Sequence, residues 1–356
     1  MCYNLIMFYD GTKILSMTDI NGKRPELFFV TSNRSAGKTT YFSRLLVNRF
    51  IKRGELFGLL YRYKYELTDC ENKFFNDIKT LFFKGYEMKS EPVDNGAVRE
   101  LILFKPEDNK YSKICGYAMS LNSAEDVKKH SHLLHGVKRL FFDEFQSETN
   151  HYCNNEINKF MSIHFSLARG GGSSVRYLPV ILVSNPVSII NPYYTALKIS
   201  GRLKNDTKFL RGDGFVLEQG HNEEVAKKQS ESGFNRAFGD SKYLKYSIYS
   251  DYLNDSKAFI EKPTGRNRYL CTLKDSEREY CIREYPELGI VYCGLEVDNT
   301  FPIKLSLTTE SHDINFVMIR NNPLIIGNLR YYFERGCFRF KDLNCKEVIT
   351  TLIGYR

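Results

Sequence analysis

Leu27-Phe28-Phe29-Val30-Thr31-Ser32-Asn33-Arg34-Ser35-Ala36-Gly37-Lys38-Thr39 runs from a compact apolar segment into a Gly-Lys-Thr triplet. Consecutive apolar residues at 27–30 predict a strand buried on both faces. From Thr39 to Lys52, the residues Phe42, Leu45, Leu46, Arg49 and Phe50 recur at helical spacing, and Gly54 stands where a helix stop is expected. Strand, loop and helix in this order are the setting of the G-x-x-x-x-G-K-[ST] phosphate loop. Its backbone N–H groups wrap the phosphates, its Lys neutralises charge and its hydroxyl reaches Mg²⁺. Ser32, Asn33, Arg34, Ser35, Ala36, Gly37, Lys38 and Thr39 are therefore candidate nucleotide contacts, with ATP and Mg²⁺ as the expected ligands. Ser32 stands where the consensus has its first glycine, so the match is incomplete, and a Gly-Lys-Thr after an apolar strand also arises by chance.

Further along, Leu56 to Tyr61 predicts a second strand and Phe74 to Phe83 a helix. Residues 101–104 and 114–119 predict a strand pair, and Leu140-Phe141-Phe142 a buried strand that ends in Asp143-Glu144. An apolar strand delivering two adjacent carboxylates supplies what an ATPase requires: Asp143 to hold Mg²⁺ with Thr39, and Glu144 to polarise the attacking water. The plain alternative is a strand ending in two solvated acids. Glu156 to Ala168 reads as a helix, 169–174 as a glycine-rich loop, and Val180 to Val183 as a buried strand leading to Ser184-Asn185. Asn185 reads equally as a turn residue before Pro186 and as a group reaching the γ-phosphate. Arg169 suits a cation delivered to a neighbouring subunit's nucleotide, and equally a solvated charge complementing a helix end. Arg34 acts in cis or pairs with a carboxylate at the loop. Arg62 and Lys64, interleaved with tyrosines at 61–65, and Lys128-Lys129 are basic clusters that suit nucleic acid or a solvated face.

Alternating strands and helices predict a mostly parallel α/β sheet over residues 1–204. The pattern loosens over 205–255, read as a linker with one polar helix near 223–232, and 256–356 reads as a smaller strand-rich domain. Net charge of +9 favours a polyanionic partner. The nine cysteines show no C-x-x-C pair, and no apolar run approaches the roughly 18 residues of a membrane span. Reduced thiols in a cytoplasm and no membrane partner are the expectations.

With Arg34, Gly37-Lys38-Thr39, Asn48 to Lys52, Arg62-Tyr63-Lys64, Phe142 to Phe145, Ser184 to Tyr193 and Phe259 to Lys262 in place, the chain resembles the DNA-packaging ATPases of small protein-primed podophages. These are compact relatives of the large terminase subunits. The resemblance implies a RecA-like P-loop domain of the ring-forming, Glu-activated (ASCE) class, a linker and an RNase H-like C-terminal domain. It implies ATP-driven translocation of double-stranded DNA into a preformed capsid by a homo-oligomer, a pentameric ring on the portal protein, with a packaging RNA in close relatives. Such a motor works in the host bacterial cytoplasm and is absent from the mature virion. The resemblance also implies Glu144, Asn185 and Arg169 as catalytic residues, Arg176 as an alternative trans-acting arginine, and Lys128 or Lys129 as a trans-acting lysine. A terminase with an active nuclease and an ATP-gated nucleic-acid scaffold are the rival readings. Glu261, Glu296, Asp298 and Asp313 do not form a strand-borne acidic set, so a vestigial C-terminal domain is expected.

Overall fold

The computed structural model describes residues 9–354 apart from 150, 170–174, 200, 201, 204–206, 239, 240, 242–246, 248–257, 276 and 277. The glycine-rich loop after Arg169 and much of the expected linker lie outside the described residues. The chain divides into two compact units, Met1–Asn254 and Asp255–Arg356.

In the first unit a helical turn α1 (Thr12–Ser16) precedes β1 (Leu27–Thr31), α2 (Lys38–Arg53), β2 (Leu56–Tyr61), α3 (Cys70–Phe82) and three strands, β3 (Glu87–Val93), β4 (Val98–Lys105) and β5 (Asp108–Ser120). Then come α4 (Ala124–Lys129), α5 (Ser131–Leu134), β6 (Val137–Asp143), α6 (Glu156–Leu167), β7 (Val180–Ser184), α7 (Pro192–Ala196), β8 (Phe209–Gly212), β9 (Phe215–Gln219), α8 (Glu223–Ser230) and α9 (Gly233–Phe238). The strands form one sheet in the order β3-β4-β5-β2-β6-β7-β1-β9-β8. From β5 to β9 every neighbouring pair is parallel, while β3, β4 and β8 run antiparallel to their neighbours.

Two-residue alternation gives the buried strands two apolar faces. Phe28, Val30, Phe141, Ile181 and Val183 meet Phe42, Leu46 and Phe50 of α2 and Phe74 and Ile78 of α3. Phe29, Leu140, Phe142, Val180 and Leu182 meet Phe160, Ile163 and Leu167 of α6 and the tyrosines of α7. Helix α2 closes on Gly54 at φ 67°, a left-handed residue whose N–H reaches Phe50 O.

The expectation of a linker from 205 is corrected at its start. β8 and β9 belong to the large sheet, and β9 lies parallel to β1 from Leu27↔Phe215 to Thr31↔Gln219. Turn residues at 212–214 obscure two short strands that only long-range pairing completes.

The second unit holds β10 (Arg268–Asp275), β11 (Arg278–Tyr285), β12 (Ile290–Gly294), β13 (Lys304–Ser306), β14 (Val317–Met318), α10 (Pro323–Glu334), β15 (Phe338–Phe340) and α11 (Leu343–Leu352). Its sheet order is β14-β13-β10-β11-β12-β15: an antiparallel meander β10-β11-β12 with β13 added parallel to β10. This mixed α/β layout is the RNase H-like one anticipated. Leu329, Val348 and Ile349 of the two helices cover the sheet, and the Asp342 side chain caps α11 by accepting from Cys345 N at 2.9 Å.

At the carboxyl edge of the large sheet, Arg62 follows β2 and is buried. Its Nε donates to Glu156 Oε2 at 2.9 Å and its Nη2 to Glu156 Oε1 at 3.1 Å and Phe145 O at 2.7 Å. Glu156, at the start of α6, also accepts from Cys153 N at 2.8 Å and Tyr193 Oη at 2.8 Å. One ion pair thus joins β2, the loop after β6, α6 and α7. This corrects the assignment of Arg62 as a nucleic-acid contact, since the guanidinium is spent inside the protein. Removing one partner strands a buried charge, so Arg62→Met is expected to destabilise the first unit by about 3–5 kcal/mol, with Arg62→Met/Glu156→Leu regaining most of it. Denaturant midpoints at constant m-value test this. A single variant as stable as the parent would contradict it.

Candidate active site

The site is built where β1, β7 and β6 end side by side, since parallel strands point their carboxyl ends to one edge and loops there can converge. Ser35 (φ 62°) and Gly37 (φ 91°) take left-handed conformations that turn the loop between β1 and α2. Ala36 anchors it by accepting from Tyr9 N at 2.9 Å.

Lys38, the first residue of α2, is buried with its ammonium folded back into the loop. Nζ donates to Ser32 O and Ser32 Oγ, each at 3.0 Å, to Asn33 O at 3.2 Å and to Asn185 Oδ1 at 3.3 Å. The serine that replaces the consensus glycine therefore supplies two of the four oxygens around the lysine, and its φ is not in the left-handed region. Burial lowers the Lys38 pKa to about 8, against the pull of the Asp143 and Glu144 charges and with help from Arg34.

Thr39 Oγ1 donates to Asp143 Oδ1 at 3.3 Å. A hydroxyl and a carboxylate oxygen side by side are the hard donors Mg²⁺ takes, so these two residues fit that ion. Burial and then the Glu144 charge push the Asp143 pKa up to about 6, opposed by the Thr39 hydrogen bond and Lys38. Glu144 is exposed and held at φ 56°, a strained conformation for a non-glycine residue at the point where the acidic pair turns out of β6.

Other expected contacts are placed differently. Asn33 is fully buried, and its carboxamide is spent on the backbone of Asn222: Nδ2 donates to Asn222 O at 3.2 Å and Oδ1 accepts from Asn222 N at 2.9 Å. Its side chain is corrected from a nucleotide contact to a clasp between the loop and the start of α8. Arg34 pairs with Glu148 at 2.7 Å, the carboxylate-partner alternative. Lys128 and Lys129 make i,i+3 pairs with Glu125 at 2.7 Å and Asp126 at 2.9 Å on α4, exposed contacts of small energy. Lys64 is exposed. Arg176 is corrected as a trans-acting arginine, because its Nη2 and Nε donate to Leu167 O at 2.7 and 3.1 Å and so close the end of α6. Arg169, beyond the same helix end, is exposed.

Glu148 and Asn222 are among the groups that escaped the sequence reading. Glu148 gives no local sign that it faces Arg34, and Asn222 lies 189 positions from Asn33. In the second unit Glu296 pairs with Lys262 at 3.2 Å and Lys341 at 3.5 Å, Asp313 pairs with Lys274 at 3.7 Å, and Glu261 pairs with Arg339. Among the described residues no group of three or more His, Cys, Asp or Glu side chains is placed to hold a metal ion.

The chain is similar to known proteins along its length. The sequence profile of the family described as Podovirus DNA encapsidation protein (Gp16) matches residues 4–355. The DNA packaging protein of Bacillus phage phi29 is 25% identical over 340 residues, covering 94% of each chain. That of Bacillus phage B103 is 23% identical over 333 residues, covering 92% of this chain and 95% of the relative. Among solved structures, a chain of the bacteriophage phi29 genome packaging motor assembly aligns over 98% of this chain and 99% of its own, with TM-score 0.68 and 22% identity. A chain of the phi28 gp11 packaging motor aligns over 97% of both with TM-score 0.60 and 15% identity. The fold is shared along the whole length.

Because the Lys38 pKa is lowered, its charge is lost as pH rises through about 8. ADP affinity, measured by calorimetry, is therefore expected to fall above that pH with a slope approaching about tenfold per unit. The Lys38→Ala variant should bind more weakly with no such limb. A flat wild-type profile to pH 10 (about two units beyond) would overturn this.

Proposed function

The chain belongs to the podovirus DNA encapsidation protein family, and on that premise we propose that it hydrolyses ATP to ADP and phosphate to drive double-stranded DNA into a preformed viral capsid. The observation that carries the chemistry is the convergence of Lys38, Thr39, Asp143 and Asn185 on one edge, with Lys38 Nζ 3.3 Å from Asn185 Oδ1 and Thr39 Oγ1 3.3 Å from Asp143 Oδ1. On this reading the loop N–H groups and Lys38 hold the phosphates. Thr39 and Asp143 would hold Mg²⁺, whose charge offsets that of the phosphates. Glu144 orients the attacking water and takes its proton, and Asn185 stands beside the γ-phosphate.

The same reading makes the chain a subunit of a homopentameric ring. It works on the capsid's portal protein in the host bacterial cytoplasm, with a packaging RNA as a further partner, and leaves before the virion matures. Arg169 supports the ring, being an exposed cation past the end of α6, open to a neighbour's nucleotide. Arg176, tied to its own helix, does not compete for that role. A packaging nuclease is the weaker reading, since Glu261, Glu296 and Asp313 are paired with Lys or Arg and Asp298 accepts from Thr300.

Glu144→Gln is expected to lower steady-state phosphate release by about 100-fold or more while retaining ADP binding. Equal rates in the two proteins would leave the ATP-gated scaffold as the better description. Mixing Arg169→Ala with Lys38→Ala subunits is expected to restore hydrolysis above either alone, because each supplies what the other lacks. The absence of rescue in verified mixed assemblies would remove Arg169 from the trans role.

A further inference from the structure

Gln146 lies two residues beyond Glu144 and is almost wholly buried. A buried carboxamide needs polar partners; here the oxygen has two and the buried Nε2 has no hydrogen-bond partner. Its Oε1 accepts from Val187 N and from Ser188 N, each at 2.9 Å. Both donors follow Pro186, where the chain has left β7 and its ladder; Val187 N also reaches Asn185 O at 3.0 Å. The backbone adds a parallel link, Phe145 N to Val183 O at 3.2 Å. On the opposite side Arg62 holds Phe145 O.

Two sets of hydrogen bonds, joined by short stretches of backbone, result: Lys38 Nζ to Asn185 Oδ1, and the 187–188 N–H pair to Gln146, whose loop carries Glu144. Sequence reading gives Gln146 no role. We propose that Gln146 is a positioning residue that latches the Asp143-Glu144 loop to the Asn185 loop, so that the water-orienting carboxylate and the γ-phosphate contact move as one body. The proposal rests on the assignment of Glu144 and Asn185 above. What the latch requires is an acceptor at Oε1. The carboxamide's N–H₂ plays no part in it.

The test compares Gln146→Met, which keeps the shape and removes the acceptor, with Gln146→Glu, which keeps the acceptor. Gln146→Met is expected to lower kcat for ATP by about tenfold or more with ADP affinity within about twofold of wild type, and Gln146→Glu to stay within about threefold in kcat. Amide hydrogen exchange should accelerate at 185–189 in Gln146→Met and not across the phosphate loop. If Gln146→Met does not fold, Gln146→Asn, whose amide falls one methylene short, takes its place. Wild-type kcat in the folded acceptor-less variant, equal losses in Met and Glu variants, or unchanged exchange at 185–189 would each overturn the proposal. Failure of the underlying site assignment appears separately, as undiminished turnover in Glu144→Gln.

Discussion

Burying the Arg62 guanidinium at the end of β2 costs several kcal/mol of desolvation, roughly, and that cost is offset only when a carboxylate and further acceptors meet it in good geometry. Glu156 and Phe145 O provide them. Because Glu156 also receives Cys153 N and Tyr193 Oη, the same charge that satisfies Arg62 fixes where α6 starts and where α7 packs. The loop bearing Glu144 and Gln146 has little freedom left once these contacts form. A strained residue at 144 persists because its surroundings over-determine it.

Strand order does the rest of the positioning. β7 lies between β1 and β6, so the phosphate loop and the acidic pair are not direct neighbours, and the strand between them ends in Ser184-Asn185. Asn185 is therefore the side chain best placed to sense both sides. Of its two readings from sequence, the structure shows the turn: β7 ends at Ser184, Pro186 follows, and the Asn185 carboxamide faces Lys38 Nζ at 3.3 Å. The segment beyond it is local in design. Asn191 caps α7 by accepting from Tyr194 N at 3.0 Å, Pro192 occupies the first helical position, and Tyr193 reaches Glu156.

What was legible in the sequence was what short-range physics encodes. Apolar runs at 27–30, 140–142 and 180–183 have no stable place except a sheet buried on both faces, and the loop between a strand and an amphipathic helix follows from spacing alone. The acidic pair was legible because an apolar strand reveals where it ends. Arg62 was misread for a physical reason: a cation among tyrosines looks the same in sequence whether it is solvated or faces a glutamate 94 positions away. Asn33 and Arg34 share that limit, since position in a phosphate loop suggests a ligand while their partners lie far along the chain. The two strands at 209–219 were hidden because strands this short are stabilised by pairing, β9 with β1 and β8 with β9, rather than by their own composition.

Ser32 shows how a departure from a consensus can be an interaction rather than a defect. In the free protein the three N–H donors of Lys38 are shared among four oxygens, two of them from Ser32. Those contacts join a cation to neutral acceptors, whereas contacts to a phosphate pair opposite charges and add a Coulomb attraction that neutral oxygens lack. On the proposed reading an arriving polyphosphate draws the ammonium away from neutral oxygens, the Asn185 carboxamide among them. Released from Lys38, Asn185 would be free to meet the γ-phosphate as proposed above. Since its loop is bonded to Gln146, the latch proposed above would make nucleotide capture and the placement of Glu144 two consequences of one exchange of hydrogen bonds at a single lysine.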